Sequence, residues 1–283
     1  MHQKEMIMKQ LFITDLDHTF LHSSQMVTQF SRDIWNSMAH KMILSVATAR
    51  SFNKTEEFLH GMCLKAPLIL LDGAMVVTSE KKIIDLKILS KKVTDAVIEE
   101  GKKFNIQPFI ISLNDKKTLS ETFALPPIMN SFQSFLIDKS YSTDPRINYK
   151  SKIEGVENTL KIVYMGEESL LRPLSEHLQK TFTNIIEIKL SPEKYMGCWF
   201  LTVLHPLGDK AHALHKVSEY LDIPLAKTTV FGDSINDIGM FKIAGTSVAV
   251  SNALDEVKRE ASIILPHSND EDAVAKYLQK VKL

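Results

Sequence analysis

Two pairs of carboxylates, each placed where an apolar run gives out, carry the first chemical signal in this sequence. The run Leu11-Phe-Ile-Thr ends in Asp15-Leu-Asp17-His-Thr19, two acids spaced two apart. Acids that close repel each other unless one is protonated or a cation lies between them. Hard oxygen donors on a compact site suit Mg²⁺; taken alone, the segment also fits a solvated loop after an edge strand. A second segment, Thr229-Val-Phe-Gly232-Asp233-Ser-Ile-Asn236-Asp237, repeats the pattern and then enters a helix. Helix capping accounts for Asp233 or Ser234. It does not account for four acids at two strand ends, and a shared metal ion does.

Between these pairs lie two further groups. Ser45-Val-Ala-Thr48-Ala49-Arg50 puts a hydroxyl and a guanidinium just past a strand, where free N–H groups of the next helix can hold an anion. Pro206-Leu-Gly-Asp-Lys210-Ala-His-Ala-Leu puts an ammonium at a helix start, a poor place for a cation unless an anion sits there too. With the acids, these residues describe a phosphate held by a hydroxyl, an ammonium and Mg²⁺.

Such residues need a frame. Short apolar runs at 10–14, 43–47, 67–71, 228–231, 246–250 and 262–265 alternate with helical spacing at 28–40, 52–61, 209–221, 234–242, 253–260 and 270–281. Buried strands alternating with helices predict an α/β fold, a Rossmann-like parallel sheet that offers ligands its carboxyl-terminal strand ends. The middle reads as α+β: a helix at 90–104, strands at 106–112 and 132–137, a polar connector at 138–157, a strand at 159–165 and a helix at 168–181. Strands at 185–190 and 199–204, joined by a loop holding Pro192 and Gly197, suggest an antiparallel pair. The expected domains are a core of 8–79 and 207–283 and an inserted cap of 80–206, with hinges near Gly73 and Pro206-Leu207-Gly208.

The chain has 283 residues with 34 basic and 34 acidic side chains, so no basic stripe is available to track a nucleic acid. Cys63 and Cys198 lie outside any CxxC pair and read as thiols in a reducing cytoplasm. No stretch approaches the roughly 20 apolar residues of a spanning helix, so a cytoplasmic protein without a membrane partner is expected, as a monomer or weak homodimer. Residues 1–7 read either as the remnant of an added tag or as an upstream start, since Met8 serves equally well.

The order DLDHT (15–19), ATAR (47–50), DK-AHAL (209–214) and GDSINDIGMF (232–241) resembles the haloacid dehalogenase superfamily of phosphohydrolases. The inserted domain resembles the α+β cap of its Cof-type sugar-phosphatase branch. The stretches Ser247 to Ala253 and Asn269 to Val274 are similar to that branch's SVAMGNA and NDEDGVA segments. The resemblance implies a Mg²⁺-dependent phosphatase acting on a small phosphorylated metabolite, with a cap that closes over the core. It implies Asp15 as the nucleophile and Asp17 as the acid/base. Thr48 and Lys210 would bind phosphoryl oxygens, with Arg50 beside them, and Asn236 would orient Lys210 or the nucleophile. Asp15, the main-chain carbonyl of Asp17 and Asp233 would hold the metal, with Asp237 as a direct or water-mediated ligand. The same fold also hosts phosphosugar mutases and phosphotransferases, and a non-catalytic metabolite sensor is the alternative of another class.

Three positions depart from the family pattern. His18 stands where Gly is usual and is expected to keep a negative φ, leaving metal binding intact and changing the pocket wall. Ala49 also replaces Gly. Asp72-Gly73-Ala74 replaces Asn-Gly-Ala, and Asp72 is expected either to pair with Arg50 or to disfavour anionic leaving groups. The remaining candidates read as structural: His212 with His215, His18 with His22, the Trp199-Phe200 pair and the charged turn Asp115-Lys116-Lys117.

Overall fold

A computed structural model describes residues 10–281. The expected domain start at residue 8, and the reading of residues 1–7, lie outside the described residues. In chain order the elements begin with β1 (Leu11–Thr14), α1 (Gln29–Met38), β2 (Ile43–Val46), α2 (Phe52–Phe58), β3 (Leu68–Leu70), β4 (Met75–Val77) and β5 (Ile83–Leu86). Next come α3 (Lys91–Lys103), β6 (Phe109–Asp115), β7 (Ser120–Leu125), α4 (Ser131–Ser140), β8 (Ile147–Tyr149), β9 (Thr159–Gly166), α5 (Glu168–Thr181), β10 (Glu187–Glu193) and β11 (Cys198–Leu204). The chain continues through α6 (Lys210–Leu221), β12 (Thr228–Gly232), α7 (Ile238–Ile243), β13 (Thr246–Ala249), α8 (Asp255–Glu260), β14 (Ile263–Ile264) and α9 (Ala273–Lys280).

The chain divides into two compact units. One comprises the residues through Leu70, Val76–Glu80 and Leu214 onward; the other comprises Leu71–Met75 and Lys81–Ala213. In the first, an all-parallel sheet runs in the order β14-β13-β12-β1-β2. The Ala47↔Ile69 bridge extends it towards β3. Leu11, Phe12 and Ile13 are all buried, the continuous apolar run expected of a strand covered on both faces. Fully burying each such side chain contributes about 1.5–3 kcal/mol. The register Ile13↔Val230 and Thr14↔Phe231 puts the carboxyl ends of β1 and β12 side by side. The Asp15 N–H donates to the Phe231 carbonyl at 3.0 Å and seals that junction.

The second unit is α+β. Its six-stranded sheet runs β10-β11-β9-β6-β7-β8, antiparallel except where β8 joins β7. Ile162 and Tyr164 of β9 pack with Val97 of α3 and Leu171, Leu174 and Leu178 of α5. Val163 and Met165, the alternate residues, pack with Phe109, Phe123 and Ile137 of α4. The period of two sends these groups to opposite faces, so both faces carry a core.

Three expectations change here. Residues 132–137 form part of α4 and not a strand: Asn130 and Gln133 make a reciprocal capping box that starts a helix through this apolar stretch. Pro192 lies inside β10, paired with Trp199, and not in the connecting loop. As the outermost strand of its sheet, β10 tolerates a missing N–H on its free side. Strands β7 and β8 fall within stretches not expected to contain any.

Candidate active site

Three of the four predicted acids meet. Asp15, Asp233 and Asp237 are buried, and one oxygen from each lies within 4.8 Å of the others. Asp15 follows β1 and Asp233 follows β12, so the parallel pairing of those strands delivers both. Asp237 closes a 3₁₀ turn over Ile235–Asp237. Its Oδ2 accepts the N–H groups of Asp233 at 3.0 Å and Ser234 at 3.1 Å, which fixes the carboxylate against the strand end. Gly232 makes room for it: a Cβ there would stand 2.5 Å from the Asp237 carboxyl carbon. The Thr19 hydroxyl donates to Asp233 Oδ1 at 3.1 Å.

Buried carboxylates packed together are costly unless a cation compensates them. A donor set made only of carboxylate oxygens fits a hard divalent cation such as Mg²⁺. The residues present therefore fit the metal that the sequence implies.

The Asp17 carboxylate is not part of this group. Arg50 Nε donates to its Oδ2 at 2.7 Å and Nη2 to its Oδ1 at 2.5 Å. A forked guanidinium, whose geometry matches both oxygens, holds the Asp17 carboxylate, and the metal donor expected of Asp17 is its main-chain carbonyl, which this pairing does not involve. Thr48 is fully buried just past β2, and its Oγ1 accepts the Arg50 N–H at 3.2 Å. Lys210 is fully buried as the first residue of α6. Asn236 sits within the 3₁₀ turn that also holds Asp237.

Two departures from the family pattern behave differently from expectation. His18 adopts a left-handed backbone, φ 57°, and not a negative one. Its carbonyl accepts the Asn252 side-chain N–H at 2.8 Å, which holds the bend. Asp72 pairs with Lys161, Oδ2 to Nζ at 2.9 Å, while the carboxylate that Arg50 engages is that of Asp17. Thr19 and Asn252 are site-supporting residues to which the sequence reading gave no role. Their signal was present in the DLDHT and SNA segments, but their partners lie more than 200 positions away.

The other candidates have structural partners. His22 lies 3.4 Å from Asp270, and His212 lies 3.8 Å from Asp85. Trp199 and Phe200 pack on opposite cores of the second unit. Asp115 Oδ1 accepts the Lys117 N–H within an exposed turn. Buried Cys198 has its thiol pushed up to about 11 by desolvation, as expected of an inert thiol. Among the described residues, no helix is long and apolar enough to cross a membrane.

Comparison with known proteins agrees with this geometry. The chain is 22% identical to the 5-amino-6-(5-phospho-D-ribitylamino)uracil phosphatase YwtE of Bacillus subtilis, over 94% of this chain and 96% of that protein. A solved haloacid dehalogenase-like hydrolase from B. subtilis superposes with a TM-score of 0.79 at 19% identity, covering 96% of this chain and all of the other. A solved subclass IIB sugar phosphatase of the same superfamily gives 0.74 at 18% identity, over 96% and 98% of the two chains. The profile of haloacid dehalogenase-like hydrolases matches residues 12–278. With its acids at two adjacent parallel strand ends and that profile along nearly its whole length, the chain belongs to the haloacid dehalogenase-like hydrolase family.

Proposed function

We propose that this hydrolase is a Mg²⁺-dependent phosphatase of small phosphate monoesters, phosphorylated sugars foremost, working through an aspartyl phosphate on Asp15. The observation that carries the reading is the convergence of Asp15, Asp233 and Asp237 at adjacent strand ends. The B. subtilis relative is named for a phosphorylated ribityl compound, and one structural neighbour is named a sugar phosphatase.

In the first step an Asp15 oxygen attacks phosphorus, and the ester P–O bond breaks. The leaving oxygen takes a proton from Asp17. In the second step water attacks the acyl phosphate, giving its proton to Asp17 and releasing inorganic phosphate and free Asp15. Arg50 holds Asp17 in place for both transfers. The Thr48 hydroxyl and Lys210 ammonium bind phosphoryl oxygens, while Asn236 orients Lys210 or the nucleophile. Asp15, Asp233, Asp237 and the Asp17 carbonyl would hold Mg²⁺, which when bound neutralises charge on the transferring group. Phosphoryl transfer needs this kind of positioning and charge compensation more than elaborate covalent chemistry.

The test is phosphate release across a panel of phosphorylated metabolites, with and without Mg²⁺, for the wild type and Asp15→Asn. The variant should fold normally and release no phosphate. Metal-dependent hydrolysis that survives in it would overturn the mechanism.

A further inference from the structure

The link from β3 to β4, residues 71–74, opens with a strap of three residues at positive φ: Leu71 at 53°, Asp72 at 63° and Gly73 at 112°. Two successive non-glycine residues in the left-handed region are strained, and such strain persists only where the surroundings impose it. Two contacts impose it here.

The first is the buried ion pair from the strap to the sheet of the second unit. Lys161 of β9 reaches Asp72 with 8% and 7% of the two side chains exposed. The second is a close backbone approach. A Cβ on Gly73 would lie 2.2 Å from the Asp209 carbonyl and 2.7 Å from the Lys210 nitrogen. Only glycine lets the strap lie this close to the peptide that opens α6. Asp209 in turn starts that helix, its Oδ1 accepting the His212 N–H at 2.8 Å and its carbonyl accepting the Ala213 N–H at 3.1 Å. A continuous run of contacts therefore leads from Lys161 through Asp72 and Gly73 to the backbone of Lys210.

We propose that Lys161 is a positioning residue that acts through Asp72: the pair presses the strap onto the Asp209–Lys210 peptide and so fixes where the Lys210 ammonium is presented to phosphate. This inference rests on the reading of Lys210 as a phosphate ligand. A lysine with four rotatable bonds binds a dianion well only if its origin is fixed, because ordering the side chain costs entropy with each ligand bound.

The test uses the full-length protein with Mg²⁺ and inorganic phosphate as the probe. The variant is the double substitution Lys161→Met with Asp72→Asn, which removes both charges and leaves neither buried alone. It should melt within a few degrees of the wild type and bind phosphate about tenfold more weakly. Added to Lys210→Met, the same double substitution should change phosphate affinity less than about twofold, because its effect runs through Lys210. Wild-type affinity in the double variant would overturn the proposal. So would a full tenfold loss on top of Lys210→Met, which would mean a general structural role. Unchanged phosphate affinity in Lys210→Met alone would instead overturn the reading of Lys210, and this arm is independent of the strap.

Discussion

Arg50 closes a two-pronged hydrogen bond on Asp17, Nε to Oδ2 and Nη2 to Oδ1, while its guanidinium carbon sits 4.5 Å from the centre of the Phe58 ring. The ring and the carboxylate together fix the plane of the fork. Lysine supplies the charge without that plane. We therefore expect Arg50→Lys to lower kcat about tenfold with a smaller change in KM, and Asp17→Asn to lower it by about 10²–10⁴. Steady-state kinetics on one phosphate monoester checks both. Wild-type kcat in Arg50→Lys would show that the fork is dispensable.

Gly232 is held to its size by Asp237, not by its own backbone angle. In Gly232→Ala the new methyl group meets the Asp237 carboxyl at 2.5 Å. Overpacking of this kind costs about 1–3 kcal/mol, and the carboxylate must leave its two N–H donors to escape. Thermal melting and a Mg²⁺ titration should show lower stability and weaker metal binding together. Full metal affinity in the variant would mean that Asp237 is not a ligand.

Removing divalent metal should destabilise the first unit as well as stop turnover. A ligand that binds the folded state alone adds about 2.7 kcal/mol at one hundred times its dissociation constant. Chelation should therefore lower the melting temperature, and added Mg²⁺ should restore it. Asp233→Asn should lose most of that Mg²⁺-induced rise. A melting temperature indifferent to Mg²⁺ in the wild type would remove the metal from the account.

Glu121 supplies a pH dependence within the second unit. It is buried on β7 beside Arg146, and desolvation pushes its carboxyl up to about 7 against the pull of Arg146 and Lys161. The unfolded chain gives up that proton near 4.5. Between those values the folded state binds more protons, so stability falls as pH rises through the window and levels off above it. The loss is at most about 3 kcal/mol. Urea midpoints at about pH 5 and about pH 8 should differ in the wild type and converge in Glu121→Gln. An equal slope in both would assign it to other groups.

The frame that holds the acids was legible because β1 and β12 are apolar runs that stop at charged residues, and such runs need no distant partner to be read. The second unit was harder for identifiable reasons. In Ser120–Leu125 the inward positions are Glu121, Phe123 and Leu125, and a buried glutamate breaks the alternation that marks a strand. In 132–137 the aromatic and aliphatic run looked extended, although Asn130 and Gln133 at capping distance were already in the sequence. The ion pairs Arg50–Asp17 and Lys161–Asp72 span 33 and 89 positions. Their residue types were visible, but which cation meets which acid depends on how the strands are ordered in space.

The bend at His18 also ties the active site to the timing of synthesis. Asn252 holds the His18 carbonyl, its Oδ1 accepts the Asn269 N–H, and the Asn269 side chain donates to the Leu21 carbonyl. The loop after the two leading acids is thus clasped by residues 234 and 248 positions downstream. At about 5–20 residues per second, a ribosome delivers Asn252 roughly 10–50 s after His18. Over that interval the nascent chain displays Asp15 and Asp17 without the clasp or the strand β12 that brings Asp233. Asp15, Asp233 and Asp237 can therefore come together only after β12 and the turn that follows it have been made.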